Sequence, residues 1–244
     1  MPGLFRTRSA WRALAIAVGV SAQAALGAPP APPVSVPDTL AQRLQPCMGC
    51  HGGQGRASRE GYLPRIAGKP AAYLYQQLLN FRDGRRSNAT MAGLLAFQSD
   101  AYLREIASHF AALDLPHDPP PPPSANPAQL ARGQQLATQG DAAQQLPACA
   151  ACHGPALTGS LLAVPSLLGL PRDYLIGQLG AWQTGSRRAI APDCMAQLAR
   201  RLAPADVSAV AAWLAAQPVS RSPAASTVED KATGLRCGSI EAAR

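Results

Sequence analysis

The chain has 244 residues, with 22 Lys and Arg against 14 Asp and Glu, a formal charge of +8 at pH 7, and only 5% aromatic residues. Three of those cations, Arg6, Arg8 and Arg12, sit at the extreme N-terminus, so the excess over the remainder is small and argues against a nucleic-acid binder, which needs a strongly basic face. Few aromatics beside many Ala, Leu and Gln favour helices over sheets, which points to an all-α fold.

In chain order, the three arginines form a basic start, Ala13 to Val20 an apolar core, and Ala22 to Ala28 a run of small residues. This is the pattern of an export signal, expected over residues 1–28, and its apolar core is too short to span a bilayer. Cleavage fits before Ala28 or after Ala24. The rest of the chain is long enough for two domains of about a hundred residues. The expected division is 29–118, a proline-rich linker 119–127, 128–218, and a tail 219–244.

The first half opens on Asp38 as an N-cap, with Leu40 and Leu44 one turn apart on a short helix. That helix delivers Cys47-Met48-Gly49-Cys50-His51. A C-x-x-C-H run places two thiols where each forms a thioether to a vinyl group of one porphyrin, and the next residue turns an imidazole onto the iron. A zinc site wants four converging ligands, and a thioredoxin-like pair wants a βαβ context that the flanks lack. A glycine loop follows, then Pro64 to Gly68. Next comes a helix starting at Pro70, with Leu74, Leu78 and Phe81 on one face and Gly84 as its stop. A last helix is expected over 100–113, with Leu103, Ile106 and Phe110 inward.

His117 stands before five consecutive prolines, Pro119 to Pro123, and reads as solvated. The prolines favour an extended, semi-rigid spacer. Asn126 and Pro127 then cap a new helix. The second half repeats the first. Cys149-Ala150-Ala151-Cys152-His153 is a second haem-attachment run, Pro165 to Gly169 echoes Pro64 to Gly68, and Leu175, Leu179 and Trp182 repeat the buried face of Leu74, Leu78 and Phe81. A final helix over 204–217 buries Val207, Val210 and Leu214.

Sliding the last helices onto one another without a gap sets Met91 opposite Met195. A thioether is a soft, neutral sixth ligand that favours ferrous iron and saturates it, so these two methionines are the distal candidates. Two other pairs carry open alternatives. Arg85-Arg86 and Arg187-Arg188 either meet propionates or lie solvated. Cys194 and Cys237 either form a disulfide or remain thiols, and Cys194 as a thiolate is a rival ligand to Met195.

The duplicated C-x-x-C-H, the proline-to-glycine segments, the repeated G-x-P-x-x-Y-L-x-x-Q-L and the downstream methionines together resemble a di-haem class I cytochrome c of the cytochrome c4 type, over about Leu40 to Gln217. The resemblance implies two covalent haem c groups on Cys47, Cys50, Cys149 and Cys152, with His51 and His153 proximal and Met91 and Met195 distal. It also implies that the carbonyls of Pro64 and Pro165 accept the proximal imidazole N–H. The expected function is a periplasmic electron carrier, not an enzyme. By resemblance it works between a quinol-oxidising complex or dehydrogenase and a haem-copper oxidase, with peripheral membrane association left open. A di-haem peroxidase, a thiosulfate-oxidising enzyme and a dehydrogenase's cytochrome subunit are the alternatives.

Overall fold

The computed structural model describes residues 38–57, 62–159, 163–219 and 235–243; the expected export signal lies outside them. The fold is all-α: every regular element among these residues is helical, and β pairing is confined to isolated bridges.

In the first half α1 (Leu40–Arg43) and α2 (Gln45–His51) are separated by Leu44, whose side chain is fully buried. The cap of α1 is Thr39, which accepts a hydrogen bond from Gln42 N at 3.3 Å. Asp38, the expected cap, instead forms an exposed ion pair with Arg43 at 2.7 Å. Helix α3 (Ala71–Arg82) begins one residue later than expected, with Pro70 as its cap at ψ 135°. It packs on α5 (Asp100–Ala111) around a core of Leu44, Leu74, Leu95, Leu103, Ile106 and Phe110. Leu44, Leu103 and Phe110 are almost wholly enclosed, each contributing about 1.5–3 kcal/mol of apolar burial.

The second half holds a separate core. Helix α6 (Pro127–Thr138) is capped as expected by Asn126, whose side chain accepts from Gln129 N at 2.9 Å. It crosses α10 (Pro204–Ala215), and α10 also meets α8 (Arg172–Thr184). Leu136, Leu168, Leu175, Val210 and Leu214 are buried there. Gly133 is the point of closest approach of α6 to α10: a Cβ on it would overlap the Ala209 carbonyl oxygen and lie 2.7 Å from Trp213 Cβ.

The residues leading into the prolines are held by the first half, whereas Pro119 and Pro121 to Pro123 are exposed. Arg65 of the first half donates to the carbonyls of Leu115 and Pro116 at 2.5 and 3.2 Å, and Pro123 lines a shallow groove with α6 and Trp213. His117, expected to be solvated, lies half-buried against Gly169, where a Cβ would sit 2.5 Å from its Nδ1.

Candidate functional site

The two C-x-x-C-H runs sit on equivalent backbone. The first occupies the end of α2, and the second closes on α7 (Ala150–His153). Gly52 ends the first helix at φ 77°, where a Cβ would strike the Ala57 carbonyl oxygen, and Gly154 repeats the turn at φ 83°. The returning loops bond back in the same way: Ala57 N to the His51 carbonyl and Gly159 N to the His153 carbonyl, both at 2.8 Å. Each histidine then meets its proline, with His51 Nδ1 2.9 Å from Pro64 O and His153 Nδ1 2.8 Å from Pro165 O.

A carbonyl can only accept, so Nδ1 donates in both pairs and Nε2 keeps a free lone pair facing away from the loop. Burial pushes both imidazoles below their ordinary pKa. They are therefore neutral at pH 7, the state a metal requires. Burial also raises the Cys47 thiol and pushes that of Cys149 up to about 11.

Cys149, Cys152, His153 and Met195 line one apolar cavity together with Leu175 and Leu198. Met195 is the second residue of α9 (Cys194–Ala199), a helix capped by Asp193. Met91 is the third residue of α4 (Ala89–Leu95), capped by Asn88, which accepts from Met91 N at 2.9 Å. Met91, Cys47 and Ile66 pack against the first core. Neither short helix is visible in the sequence periodicity, because each is under two turns and its ends are set by an Asx cap rather than by an apolar stripe.

Cys194 and Cys237 form a disulfide. Cys194 therefore carries no thiolate, which removes it as a rival to Met195. The tail beyond Cys237 docks through α11 (Gly238–Glu241), with Gly238 N bonded to Pro192 O at 3.0 Å.

The arginines decide how the halves meet. Arg86 and Arg187 form an antiparallel bridge, flanked by Ser87 N to Ser186 O at 2.8 Å and Arg188 N to Arg85 O at 2.7 Å. The equivalent pair is thus Arg86 and Arg187, each two residues after the glycines Gly84 and Gly185 that close the repeated helices. Both side chains are buried, which rules out a solvated pair there. Arg86 donates to Gln77 and Gln178 at 3.0 and 2.7 Å and to Tyr174 at 3.0 Å. Arg187 donates to the same glutamines at 3.0 and 2.8 Å and approaches the Tyr73 hydroxyl at 3.5 Å. Arg86 stacks on Phe81 and Arg187 on Trp182, at 4.4 and 3.8 Å. The sequence reading missed this interface although its signal was present: Tyr73 and Gln77 recur as Tyr174 and Gln178, polar positions kept in both copies of the repeated helix.

This interface fits a porphyrin's carboxylates. Arg86 and Arg187 take part in no carboxylate ion pair among the described residues, though burial and mutual repulsion push the Arg187 guanidinium below its ordinary value. Trp182 Nε1, on the wall of the same cavity, is buried without an acceptor among them. Uncompensated buried donors and like charges are costly, and bound anionic acceptors relieve both.

No family model matches the chain. It is 39% identical over 180 residues to the thiosulfate dehydrogenase electron acceptor of Thiomonas intermedia (strain K12), covering 74% of this chain and 82% of that protein. It is 31% identical over 170 residues to cytochrome c4 of Pseudomonas aeruginosa, covering 69% of this chain and 82% of that protein. Among solved structures, thiosulfate dehydrogenase (TsdBA) from Marichromatium purpuratum superposes with a TM-score of 0.64 at 34% identity, covering 70% of this chain but only 36% of that longer one. Taken with the duplicated histidine–proline geometry, these likenesses establish that the chain belongs to the cytochrome c4 family, electron carriers with two covalently bound haem c groups.

Proposed function

We propose that Cys47 and Cys50 hold one haem and Cys149 and Cys152 the other, with His51 and His153 as proximal ligands and Met91 and Met195 as distal ones. The observation that carries this reading is the convergence of Cys149, Cys152, His153 and Met195 on one apolar cavity, matched in the first half by the same histidine–proline bond. Haem iron supplies reversible one-electron transfer. The protein's part is to keep both imidazoles neutral and oriented through Pro64 and Pro165, to exclude water with the two cores, and to offer Arg86, Arg187 and Trp182 to the propionates. Six-coordinate iron leaves no open position for a substrate, so the protein acts as a carrier and not as an enzyme.

The division into 29–118, a linker 119–127, 128–218 and a tail 219–244 is supported by the two separate cores. With the basic start and apolar run of residues 1–28, the carrier is exported to the periplasm. Likeness to a thiosulfate dehydrogenase electron acceptor favours a dehydrogenase, such as one oxidising thiosulfate, as the electron donor. A haem-copper oxidase is the acceptor in this scheme.

A redox-titrated absorption spectrum tests the assignment. Two haems per chain, each with the near-red band of methionine on ferric iron, support it. Rapid binding of cyanide or carbon monoxide by the resting protein would instead favour the enzymatic alternative. Loss of the near-red band from one haem in Met91→Lys and from the other in Met195→Lys would place each ligand. A substitution that leaves the near-red bands of both haems at full intensity refutes that residue's role.

A further inference from the structure

The two halves differ at Lys69, a buried position at their interface. In the repeated motif Gly68-Lys69-Pro70 aligns with Gly169-Leu170-Pro171, so a cation in one half stands where the other has a leucine. Lys69 is only 7% exposed. Its ammonium leaves its own half and donates to the Ser166 carbonyl at 3.1 Å. Ser166 follows Pro165, the residue whose carbonyl accepts the His153 imidazole N–H at 2.8 Å, and Lys69 and His153 share the walls of one cavity.

No acidic side chain among the described residues pairs with the Lys69 charge. Its neighbours are the Arg65 guanidinium, which bonds to the carbonyls of Ala67, Leu115 and Pro116, and the half-buried His117. Asp114 and Asp118, the acids of this corner, are exposed. Burial and Arg65 pull the Lys69 pKa down to about 8, which still leaves it cationic at pH 7. A buried lysine with a single carbonyl partner is costly to fold around. The equivalent position in the second half is Leu170, buried in that half's apolar core.

We propose that Lys69 is a tuning residue lent by the first half to the second: its charge raises the reduction potential of the haem at His153 more than that of the haem at His51. This rests on His153 being a haem ligand. Reduction removes one positive charge from the iron, so a nearby fixed cation favours the ferrous form, and a path through partly buried protein screens that interaction weakly. An electron entering the protein is thereby biased toward the second haem.

The test is redox titration of the intact holoprotein, followed haem by haem by paramagnetic NMR, with the haems distinguished by the Met195→Lys variant. Lys69→Gln keeps a donor for the Ser166 carbonyl but removes the charge. Lys69→Met removes both, and Lys69→Arg keeps both. The expected result is that Gln and Met each shift the distribution of the single electron about tenfold toward the first haem, through a larger fall in the second potential than in the first, while Arg matches wild type. A Gln variant with wild-type potentials, equal movement of both haems, or no movement in Gln and Met would overturn the proposal. If Met does not fold, the Gln and Arg pair decides. A wild-type protein lacking a haem at His153 would refute the ligand assignment itself, and the haem count reads that separately from any change in potential.

Discussion

Cutting the Cys194–Cys237 disulfide by the double substitution Cys194→Ala, Cys237→Ala is expected to destabilise the second half and spare the first. The bond closes a loop of 43 residues that contains most of α9 and all of α10, the helix that packs on both α6 and α8. Restricting a loop of that length in the unfolded chain is worth about 4 kcal/mol at 25 °C in the chain-entropy description. Alanine at Cys194, which is buried, adds no unsatisfied polar atom, so the change isolates the cross-link. Without it the tail is held by a few hydrogen bonds, among them Gly238 N to Pro192 O and Gln76 Nε2 to Ser239 O, each worth about 1 kcal/mol. Guanidinium unfolding of the holoprotein, followed by far-ultraviolet circular dichroism and by the near-red band, measures the effect. The transition carrying the second haem should move down by about 4 kcal/mol while that of the first stays in place. A loss below about 1 kcal/mol, or an equal loss in both halves, would show that the tail does not restrain α10 as the geometry implies.

Gly133→Ala should cost about 2–3 kcal/mol in the second half, because the new methyl group meets the Ala209 carbonyl and helices α6 and α10 must separate; thermal unfolding reads this directly. Arg132→Leu removes the partner of Asp206, which it holds at 2.8 Å while also pairing with Asp141 at 2.9 Å. Leaving that carboxylate buried and unpaired should cost about 3–5 kcal/mol in chemical denaturation. The Arg132 hydrogen bonds hold the Asp206 carboxyl below its usual range, so its contribution is present above the unfolded value of about 4 and fades as pH falls through the lower folded value. Arg132→Leu should therefore lose less than wild type on acidification. Burial, with Arg65 and Lys69 close by, pushes the His117 pKa down to about 4, so the folded protein disfavours its protonated form. Stability should be complete above about pH 6.5, the ordinary histidine value, and decline as pH falls from there toward 4. His117→Phe should flatten that decline in a series of melting temperatures.

Much of the site is legible without coordinates. The two C-x-x-C-H runs are local chemistry: five adjacent residues contain the proposed attachment groups and one proposed ligand, and the repeat supplies the register for Pro64, Pro165 and the proposed distal residues Met91 and Met195. Apolar spacing locates α3, α5, α8 and α10 to within a few residues, since each presents a full stripe to a core. Helices α4 and α9 escape because two turns or fewer carry no period to detect. Thr39 rather than Asp38 caps α1, since both residue types suit the position and only the chain's direction on entering the helix chooses between them.

The sequence by itself determined what each half holds, because thioether chemistry, histidine ligation and helix amphipathicity depend on residues close in the chain. Tertiary structure alone decided how the halves join and what surrounds the residues in which they differ. The buried Arg86–Arg187 pair, the reach of Lys69 into the other half and the clamp of the tail onto Cys194 each bring together residues far apart in the chain. A charged side chain reads as solvated until the fold shows what encloses it, and the cost of enclosing Lys69, Arg86 and Arg187 is the ground on which those three residues are proposed to act on the haems.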